Sequence, residues 1–489
     1  MKSTKRSKLN VYGIVRIIGY LLLIESAFML VPLGTAFYYK ETLLPFLLSF
    51  CITLLGAIGC CSLVSQQRRD VGRREGYLLT ALVWIVFSIF GMLPFMISEI
   101  THFDVSNAFF EAMSGFTTTG ASVLDHVDHL PHSMHIWRCL MQWIGGMGII
   151  IFTIALVPMF NNSGGIKMFN AEVTGITHDK IRPRISQTAK SLWIIYGILT
   201  IVLGFLLWIG PMDAFDSICH ALTTVSTGGF STSNESIGAW NSIYVKLVVM
   251  FFMFLGGVNF ALIYHAAHGR FRIVWKNDVF RAYLKIILAV TLFFILMAGI
   301  HVAFEDVEDY IIDPMFLVIS TISSTGLIIA DFTQWGNAIY PVLFILMFFG
   351  ACAGSTSGGA KIDRVLYLWR NTKNELNRCI HPNRYYPLTI NGRVCPPEML
   401  GKVVAFISLF FCMMVAGSVA LALTGIPLGD SIFASFSCIA NTGIGAGVTA
   451  TSFEIVPDTG KWILSALMLI GRLEIFTILL MFVPGFWRK

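Results

Sequence analysis

The chain has 489 residues, of which 56% are hydrophobic and 13% are charged, and its mean hydropathy is +0.74. A soluble domain carries roughly a quarter charged residues, so this composition excludes a water-soluble protein. It indicates an all-α integral membrane protein, and we expect no nucleic-acid partner despite the net charge of +6.

Ten apolar runs recur along the chain at lengths that fit membrane spans. A bilayer core about 30 Å thick needs about 20 residues of helix. The basic first ten residues precede a run that contains Arg16 and Glu25 and has no small-residue cleavage site, so we expect an uncleaved first helix. In chain order the predicted spans are 11–38, 43–64, 79–98, 139–160, 191–210, 247–267, 286–304, 339–360, 403–424 and 462–487.

The charges in the loops predict the orientation. Ten spans place both termini on one side, and the loops and tails of that side hold 28 of the 34 lysines and arginines. Of the 28 acidic residues, 18 lie on the opposite side. The positive-inside rule therefore predicts cytoplasmic termini and an acidic outer face.

Four polar stretches of similar sequence lie between these spans, and each ends in a Thr-Gly pair. They are SGFTTTG, LTTVSTG, STISSTG and SCIANTG, ending at Gly120, Gly228, Gly326 and Gly443. An apolar stretch of about ten residues, too short to cross a bilayer, precedes each one. The polar residues that open these stretches are good helix N-caps: Ser106-Asn107, Asp213, Asp313-Pro314 and Asp430-Ser431.

The span that follows each short stretch has glycine near its middle, in QWIGGMGIII, FLGGVNFALI, FFGACAGSTSGGAK and LIGRLEIF. The repeating unit is therefore a span, a short re-entrant helix, a Thr-Gly loop and a second span. We predict four such units around one pore, with two further helices at the N-terminus. The predicted divisions are 1–74 for the extra helices, 75–165, 187–270, 279–365 and 398–489 for the repeats, and 366–397 for a cytoplasmic loop.

Four loops of this kind predict a cation filter. Irregular backbone at membrane depth is tolerated only where it is buried in protein or lines a water-filled cavity. Four loops around one axis can replace the hydration shell of a cation with carbonyl oxygens. Helix packing is the alternative use of one Ser/Thr/Gly stretch. The predicted filter residues are Thr118, Thr119, Gly120, Ser226, Thr227, Gly228, Ser324, Thr325, Gly326, Asn441, Thr442 and Gly443.

These loops, together with QWIGGMG, GGVNFAL and AGSTSGGAK, resemble the Trk/Ktr/HKT superfamily of potassium-uptake proteins, and within it the bacterial TrkH-type membrane subunits. The resemblance covers essentially the whole chain, including the two extra N-terminal helices. It implies potassium held at the filter residues, a multi-pass location in the bacterial plasma membrane and a homodimer. It also implies gating by a cytosolic TrkA-type subunit that binds the nucleotide, with no covalent cofactor on this chain. In such families, glycine in all four loops accompanies preference for potassium.

The break in the third repeat is a candidate gate. Residues 350–361 hold four glycines, two serines and a threonine, which cannot maintain a stable helix. A phosphate-binding loop fails because Ala360 follows Gly359, and a glycine-rich helix contact is the alternative that remains. In the resembled family this segment obstructs the pore. The predicted gate residues are Gly350, Gly354, Ser355, Thr356, Ser357, Gly358, Gly359, Lys361 and Arg472.

Arg472 lies in the middle of the last span, where an isolated arginine costs at least about 2.5 kcal/mol. We therefore expect it to face the interior below the filter and to donate to carbonyls of the 350–361 segment. An interhelical contact outside the pore is the alternative. Glu474 is two positions along, on another side of a helix, so we expect no direct pair with Arg472.

The remaining features define the competing hypotheses. His126, His129, His132 and His135 recur every third residue, and we favour a solvated loop over a metal site. No motif for covalent catalysis is present, so we predict that the protein is not an enzyme. A secondary transporter that couples potassium to protons or sodium remains the alternative, with Glu25 and Glu474 as coupling acids. The basic 361–402 loop is predicted to contact a partner or anionic lipid.

Overall fold

The computed structural model describes residues 9–62, 72–160, 185–301, 307–396 and 398–487. Over these residues nearly all regular structure is helical, and one short hairpin pairs Thr389–Ile390 with Arg393–Val394. This confirms the all-α prediction. One large apolar core runs through the molecule, and a smaller cluster joins the first helix to Leu79.

Two helices precede the repeats, as predicted. Val11–Tyr38 and Leu44–Ser62 form an antiparallel pair, and the first also packs on the spans of repeat 1. Both are apolar around most of their circumference, which suits helices with lipid on one side and protein on the other.

Four units follow, each with a first span, a short helix and a second span. We call the four short helices pore helices 1 to 4; they are Val105–Phe116, Ala214–Val225, Val307–Ile322 and Leu428–Ile439. The first spans are Arg73–Gly91 with Leu93–Ile97, Ile185–Ile209, Asp278–His301 and Glu398–Ala422. The second spans are His132–Phe160, Ile243–Gly257 with Phe260–Ala267, Ile339–Phe349, and Asp458–Arg472 with Phe476–Phe482. Shorter helices are Phe271–Lys276, Pro484–Trp487, Val127–His129, Ser236–Ala239, Phe332–Trp335 and Gly447–Thr449.

The predicted starts of the pore helices were right in one case of four. Asp213 caps pore helix 2 and accepts from the backbone N–H of Asp216 at 2.7 Å. Pore helix 1 is capped by Asp104 rather than by Ser106 or Asn107. Pore helix 4 begins after Pro427, before Asp430 and Ser431, and has no side-chain cap. Pore helix 3 begins well before Asp313, whose carboxylate pairs with Lys246 at 3.2 Å. A polar side chain that local propensity assigns to a helix cap can therefore be used for a contact elsewhere in the fold.

Two predicted spans bend sharply at internal breaks. The 247–267 span turns by 112° after Gly257, where Asn259 caps the second half and donates to the carbonyl of Ala353 at 2.7 Å. The 462–487 span turns by 114° after Arg472, where Glu474 and Ile475 have φ of 54° and 29°. Neither break contains a proline, which is a common cause of sharp kinks. The sequence analysis therefore treated each run as one continuous span.

The predicted 339–360 span is a helix only over Ile339–Phe349. The segment 350–361 is irregular, as its composition indicates, and Ile362–Ile380 then forms a polar helix. Within the described residues, six helices are long and apolar enough to cross a membrane, and the two bent pairs raise that number to eight.

Glycine in the second spans permits close contact with the pore helices. A Cβ atom on Gly145 would collide with the carbonyl oxygen of Phe116, and one on Gly471 with that of Ile439. Phe116 and Ile439 are the last residues of pore helices 1 and 4. The glycines therefore let the second spans of repeats 1 and 4 support the ends of their own pore helices.

Candidate functional site

The four polar stretches share one backbone conformation. After each pore helix and one capping residue come three residues, which we call pore loops 1 to 4. The first and third residues of each have left-handed backbone angles, and the second does not. The first residues are Thr118, Thr227, Ser324 and Asn441, with φ of 53°, 54°, 52° and 52°. The third residues are Gly120, Gly229, Gly326 and Gly443, with φ of 83°, 88°, 80° and 77°.

Hydrogen bonds to the pore helices confirm this equivalence. The N–H of each second loop residue donates to a carbonyl five residues earlier. The bonds are Thr119 to Ser114 at 2.9 Å, Gly228 to Thr223 at 2.8 Å, Thr325 to Ser320 at 2.9 Å and Thr442 to Ser437 at 3.0 Å. The same tight turn therefore closes each pore helix.

This equivalence corrects the prediction for loop 2 by one residue. Gly229, not Gly228, matches the glycines of the other loops, and Gly228 stands where they have threonine. Ser226 is the capping residue at the end of pore helix 2, outside the three-residue loop. The sequence has two successive glycines here, and the Thr-Gly pattern led to the wrong choice between them.

The loops close into a ring in chain order. In each loop a Cβ atom on the third-position glycine would collide with the second-position carbonyl oxygen of the next loop. Gly120 faces the oxygen of Gly228, Gly229 that of Thr325, Gly326 that of Thr442 and Gly443 that of Thr119. The side chain of Asn441 also donates to Thr119 Oγ1 at 3.0 Å, across the contact between loops 4 and 1. Four loops thus surround one centre, with backbone oxygens between neighbours.

A cavity of about 680 Å³, here called the vestibule, opens on one side of the ring. The four third-position glycines lie among its lining residues, and so do the acidic side chains Asp125, Glu235 and Asp331. Hydrogen bonds from Thr333 hold the pKa of Asp331 below its ordinary value, so this carboxylate stays charged at mildly acidic pH. Arg138 also lines the vestibule but is paired with Glu111, so the lining keeps an excess of acidic side chains, which favours cations.

A buried ion pair braces the ring from behind. Arg138 Nε donates to Glu111 Oε1 at 2.8 Å, and both side chains are buried. Arg138 also donates to the carbonyl of Ser231 and to Ser122 Oγ, just past loops 2 and 1. The sequence analysis missed this pair. A glutamate within a short apolar helix and an arginine at the start of an apolar span were the available signals.

The 350–361 segment lies against loops 2 and 3, on the side away from the vestibule. Gly358 N donates to Ser324 Oγ at 2.5 Å, and Thr227 Oγ1 donates to Thr356 Oγ1 at 3.2 Å. The second span of repeat 2 supports the segment, because Cys352 N and Thr356 N donate to the carbonyls of Gly257 and Gly256.

The other predicted gate residues belong to the same segment. Gly350, Gly354 and Gly359 have left-handed angles, with φ of 57°, 76° and 75°. Ser355 Oγ donates to the carbonyl of Cys352 at 2.6 Å and lies 2.8 Å from Ser357 Oγ. Lys361 is buried, and its Nζ donates to Ser357 through both the carbonyl and Oγ.

Arg472 joins the 350–361 segment to repeat 1. Its Nη1 donates to the carbonyl of Thr356 at 2.8 Å and its Nη2 to that of Gly145 at 3.1 Å. The side chain is buried, with its guanidinium carbon 5.9 Å from the Trp84 ring. Glu474 points elsewhere and pairs with Arg364 at 2.7 Å.

The four histidines of the 126–135 stretch do not converge. His126 and His129 lie 6.2 Å apart between ring centroids, while His132 stacks on Tyr39 and His135 packs near Phe215. Across the described part of the chain, no three His, Cys, Asp or Glu side chains are grouped as metal ligands would be.

Comparison with known proteins adds relatives to this geometry. The TrkH family, described as cation transport protein, matches residues 46–489. The chain is 36% identical over 483 residues to "Trk system potassium uptake protein TrkH" of Escherichia coli K12, covering 98% of this chain and 99% of that protein. It is 32% identical over 483 residues to TrkG of the same strain, with the same coverage. The crystal structure of the potassium transporter TrkH from Vibrio parahaemolyticus superposes with a TM-score of 0.89 at 33% identity, covering 98% of this chain and all of that one.

Proposed function

The chain belongs to the TrkH family of cation transport proteins, and on that basis we propose that it takes up potassium through a channel-like pore in the bacterial plasma membrane. The filter in this proposal is the ring of pore loops, with K⁺ held by backbone oxygens. Its residues are Thr118, Thr119, Gly120, Thr227, Gly228, Gly229, Ser324, Thr325, Gly326, Asn441, Thr442 and Gly443.

The observation that carries the proposal is the closure of the four loops into one ring. Each second-position carbonyl oxygen lies against the glycine of the preceding loop, which leaves no room for side chains between neighbours. Such a ring replaces the hydration shell of a monovalent cation with oxygens in fixed positions. The pore helices end at the ring, so the negative ends of their dipoles favour a cation there.

We further propose that residues 350–361 and Arg472 form the gate. The segment contacts loops 2 and 3 through Ser324 and Thr227, directly along the path that an ion leaving the ring would take. Arg472, from the neighbouring repeat 4, holds it in place and adds a positive charge. A gate of this kind is closed by sterics and by electrostatic repulsion together.

The cytoplasmic face would receive a regulatory partner. With both termini cytoplasmic, this face carries the basic 361–402 region, which includes the polar helix Ile362–Ile380 and the short hairpin. Asp278 fixes the hairpin by accepting from Arg370 at 3.0 Å and from Asn391 N at 2.8 Å. A cytosolic TrkA-type ring that binds the nucleotide is the partner we propose, acting on a homodimer.

Ion-coupled transport is the second candidate, and Glu25 is the observation that favours it. Its side chain is buried, and neither carboxyl oxygen has a hydrogen-bond partner among the described residues. It borders an apolar cavity of about 40 Å³ next to Trp84 and Gly145. A buried acid without a partner can act as a proton-binding site.

Purified protein in liposomes separates the two candidates. Under the channel proposal, current reverses at the potassium equilibrium potential and does not respond to a pH gradient. A reversal potential that moves with the proton gradient would favour coupling, and Glu25→Gln should then abolish that movement. Absence of potassium flux in folded protein, even when Arg472→Ala removes the proposed gate contact, would contradict both candidates.

A further inference from the structure

Gln142 lies directly behind pore loop 2 and uses its whole amide group there. The side chain is fully buried. Its Oε1 accepts from Thr223 Oγ1 at 2.5 Å and from Phe230 N at 3.2 Å. Its Nε2 donates to the carbonyl oxygen of Gly228 at 2.7 Å. That oxygen is the one loop 2 contributes between itself and loop 1.

Loop 2 has no side chain at its second position, where the other three loops have threonine. In loops 1 and 3 the second-position threonine pairs with the hydroxyl of the capping residue, at 2.8 Å for Thr117 with Thr119 and 2.7 Å for Ser323 with Thr325. In loop 2 the second position is Gly228, so the capping hydroxyl of Ser226 has no such partner and keeps only the bond to its pore helix that Thr117 and Ser323 also make. In loop 4 the capping residue is Ala440, and Asn441 holds that loop by donating to Met468 and Thr119.

The second spans show a matching difference at one position. The four residues that end at the first mid-span glycine of each second span are QWIG, MFLG, MFFG and MLIG. Repeats 2, 3 and 4 therefore have Met253, Met347 and Met468, all fully buried like Gln142. The one glutamine faces the one loop whose second residue is glycine. A Cβ atom on Gly228 would collide with the Gln142 side chain, so the two residues occupy one site together.

We propose that Gln142 is a positioning residue for ion selection, which holds loop 2 in place of the missing threonine. This inference rests on the proposed filter. Discrimination between monovalent cations depends on the number and positions of the coordinating oxygens. An untethered Gly228 carbonyl would move with loop 2 and accommodate a smaller ion, whereas the other three oxygens would keep their positions.

The test exchanges both residues for those of the other repeats. Gln142→Met keeps the side-chain volume and removes the three hydrogen bonds. Gly228→Thr introduces a clash with the Gln142 side chain. The backbone at Gly228 is not left-handed, so it does not itself exclude threonine. The double variant recreates the Met and Thr combination, with Ser226 free to pair with the new hydroxyl. The measurement is the ratio of potassium to sodium uptake rates, at matched amounts of folded protein in the membrane.

We expect Gln142→Met to lower the ratio about fivefold, the factor carried by one average net hydrogen bond. Gly228→Thr should lower it at least as much, and the double variant should recover most of the loss. Trp143→Phe is the matched control, because Trp143 donates to Thr200 on the other side of the same helix and should keep the wild-type ratio.

An unchanged ratio of potassium to sodium uptake in Gln142→Met would overturn the inference. So would a double variant whose loss of selectivity equals the product of the losses in the two single variants. Should Gln142→Met fail to accumulate, the double variant decides, because it must then accumulate and select normally. Gly326→Ser is measured in parallel. If it leaves selectivity unchanged, the proposed filter itself is wrong; if it relaxes selectivity while Gln142→Met does not, only the role of Gln142 is wrong.

Discussion

Replacement of Arg472 tests whether its charge and its hydrogen bonds close the pore. The guanidinium donates to Thr356 and Gly145 across the 350–361 segment. Each hydrogen bond from a charged group contributes about 1.5–3 kcal/mol. Its charge adds about 2 kcal/mol of repulsion for a cation about 8 Å away at an effective dielectric constant of 20. Loss of the repulsion alone in Arg472→Ala should raise basal potassium flux by about 30-fold, and loss of the hydrogen bonds should raise it further.

Two further variants separate the terms. Arg472→Lys keeps the charge and loses the second hydrogen bond, so its flux should rise only moderately. Arg472→Gln removes the charge and keeps one donor, and should lie closer to Arg472→Ala if repulsion dominates. Flux is measured in liposomes without any partner protein, with size-exclusion chromatography as the check on folding. Wild-type or reduced flux in all three folded variants would refute the gate assignment.

Other predictions concern the ring and the vestibule. Gly229→Ser and Gly120→Ser should each destabilise their loop by about 1–2 kcal/mol and lower potassium selectivity, because a left-handed residue with a Cβ is strained. Ion competition assays check this, and intact selectivity in Gly229→Ser would contradict the corrected equivalence. Glu111→Gln leaves Arg138 buried without its partner charge and should destabilise the protein by about 3–5 kcal/mol, seen as a lower melting temperature in detergent. A melting temperature within error of wild type would refute the bracing role. Asp331→Asn keeps the helix cap and should reduce uptake at low potassium and low salt by about twofold, from ~0.5 kcal/mol of attraction over about 8 Å in water. Because its pKa is lowered, the wild-type carboxylate should sustain this effect at mildly acidic pH, and an effect that persists at high salt would contradict an electrostatic origin.

The amino-acid sequence alone determined the class of protein, the repeat and the position of the irregular segment. Spans follow from apolar length, and the repeat follows from the recurrence of a Thr-Gly pair between spans. Residues 350–361 could be recognised because so many glycines and small polar residues cannot maintain a helix. Each of these conclusions depends on composition within a short window, which requires no knowledge of distant neighbours.

Only the tertiary structure decided which residues meet. Loop 2 offers Gly228 and Gly229, and the backbone angles and the contacts with neighbouring loops select Gly229 as the equivalent glycine. The bend at Asn259 depends on the carbonyl of Ala353, far along the chain. A similar long-range contact, between Arg138 and Glu111, braces the ring. Lipid supplies no hydrogen bonds, so each buried polar group must find its partner within the fold, and that partner is often distant in sequence.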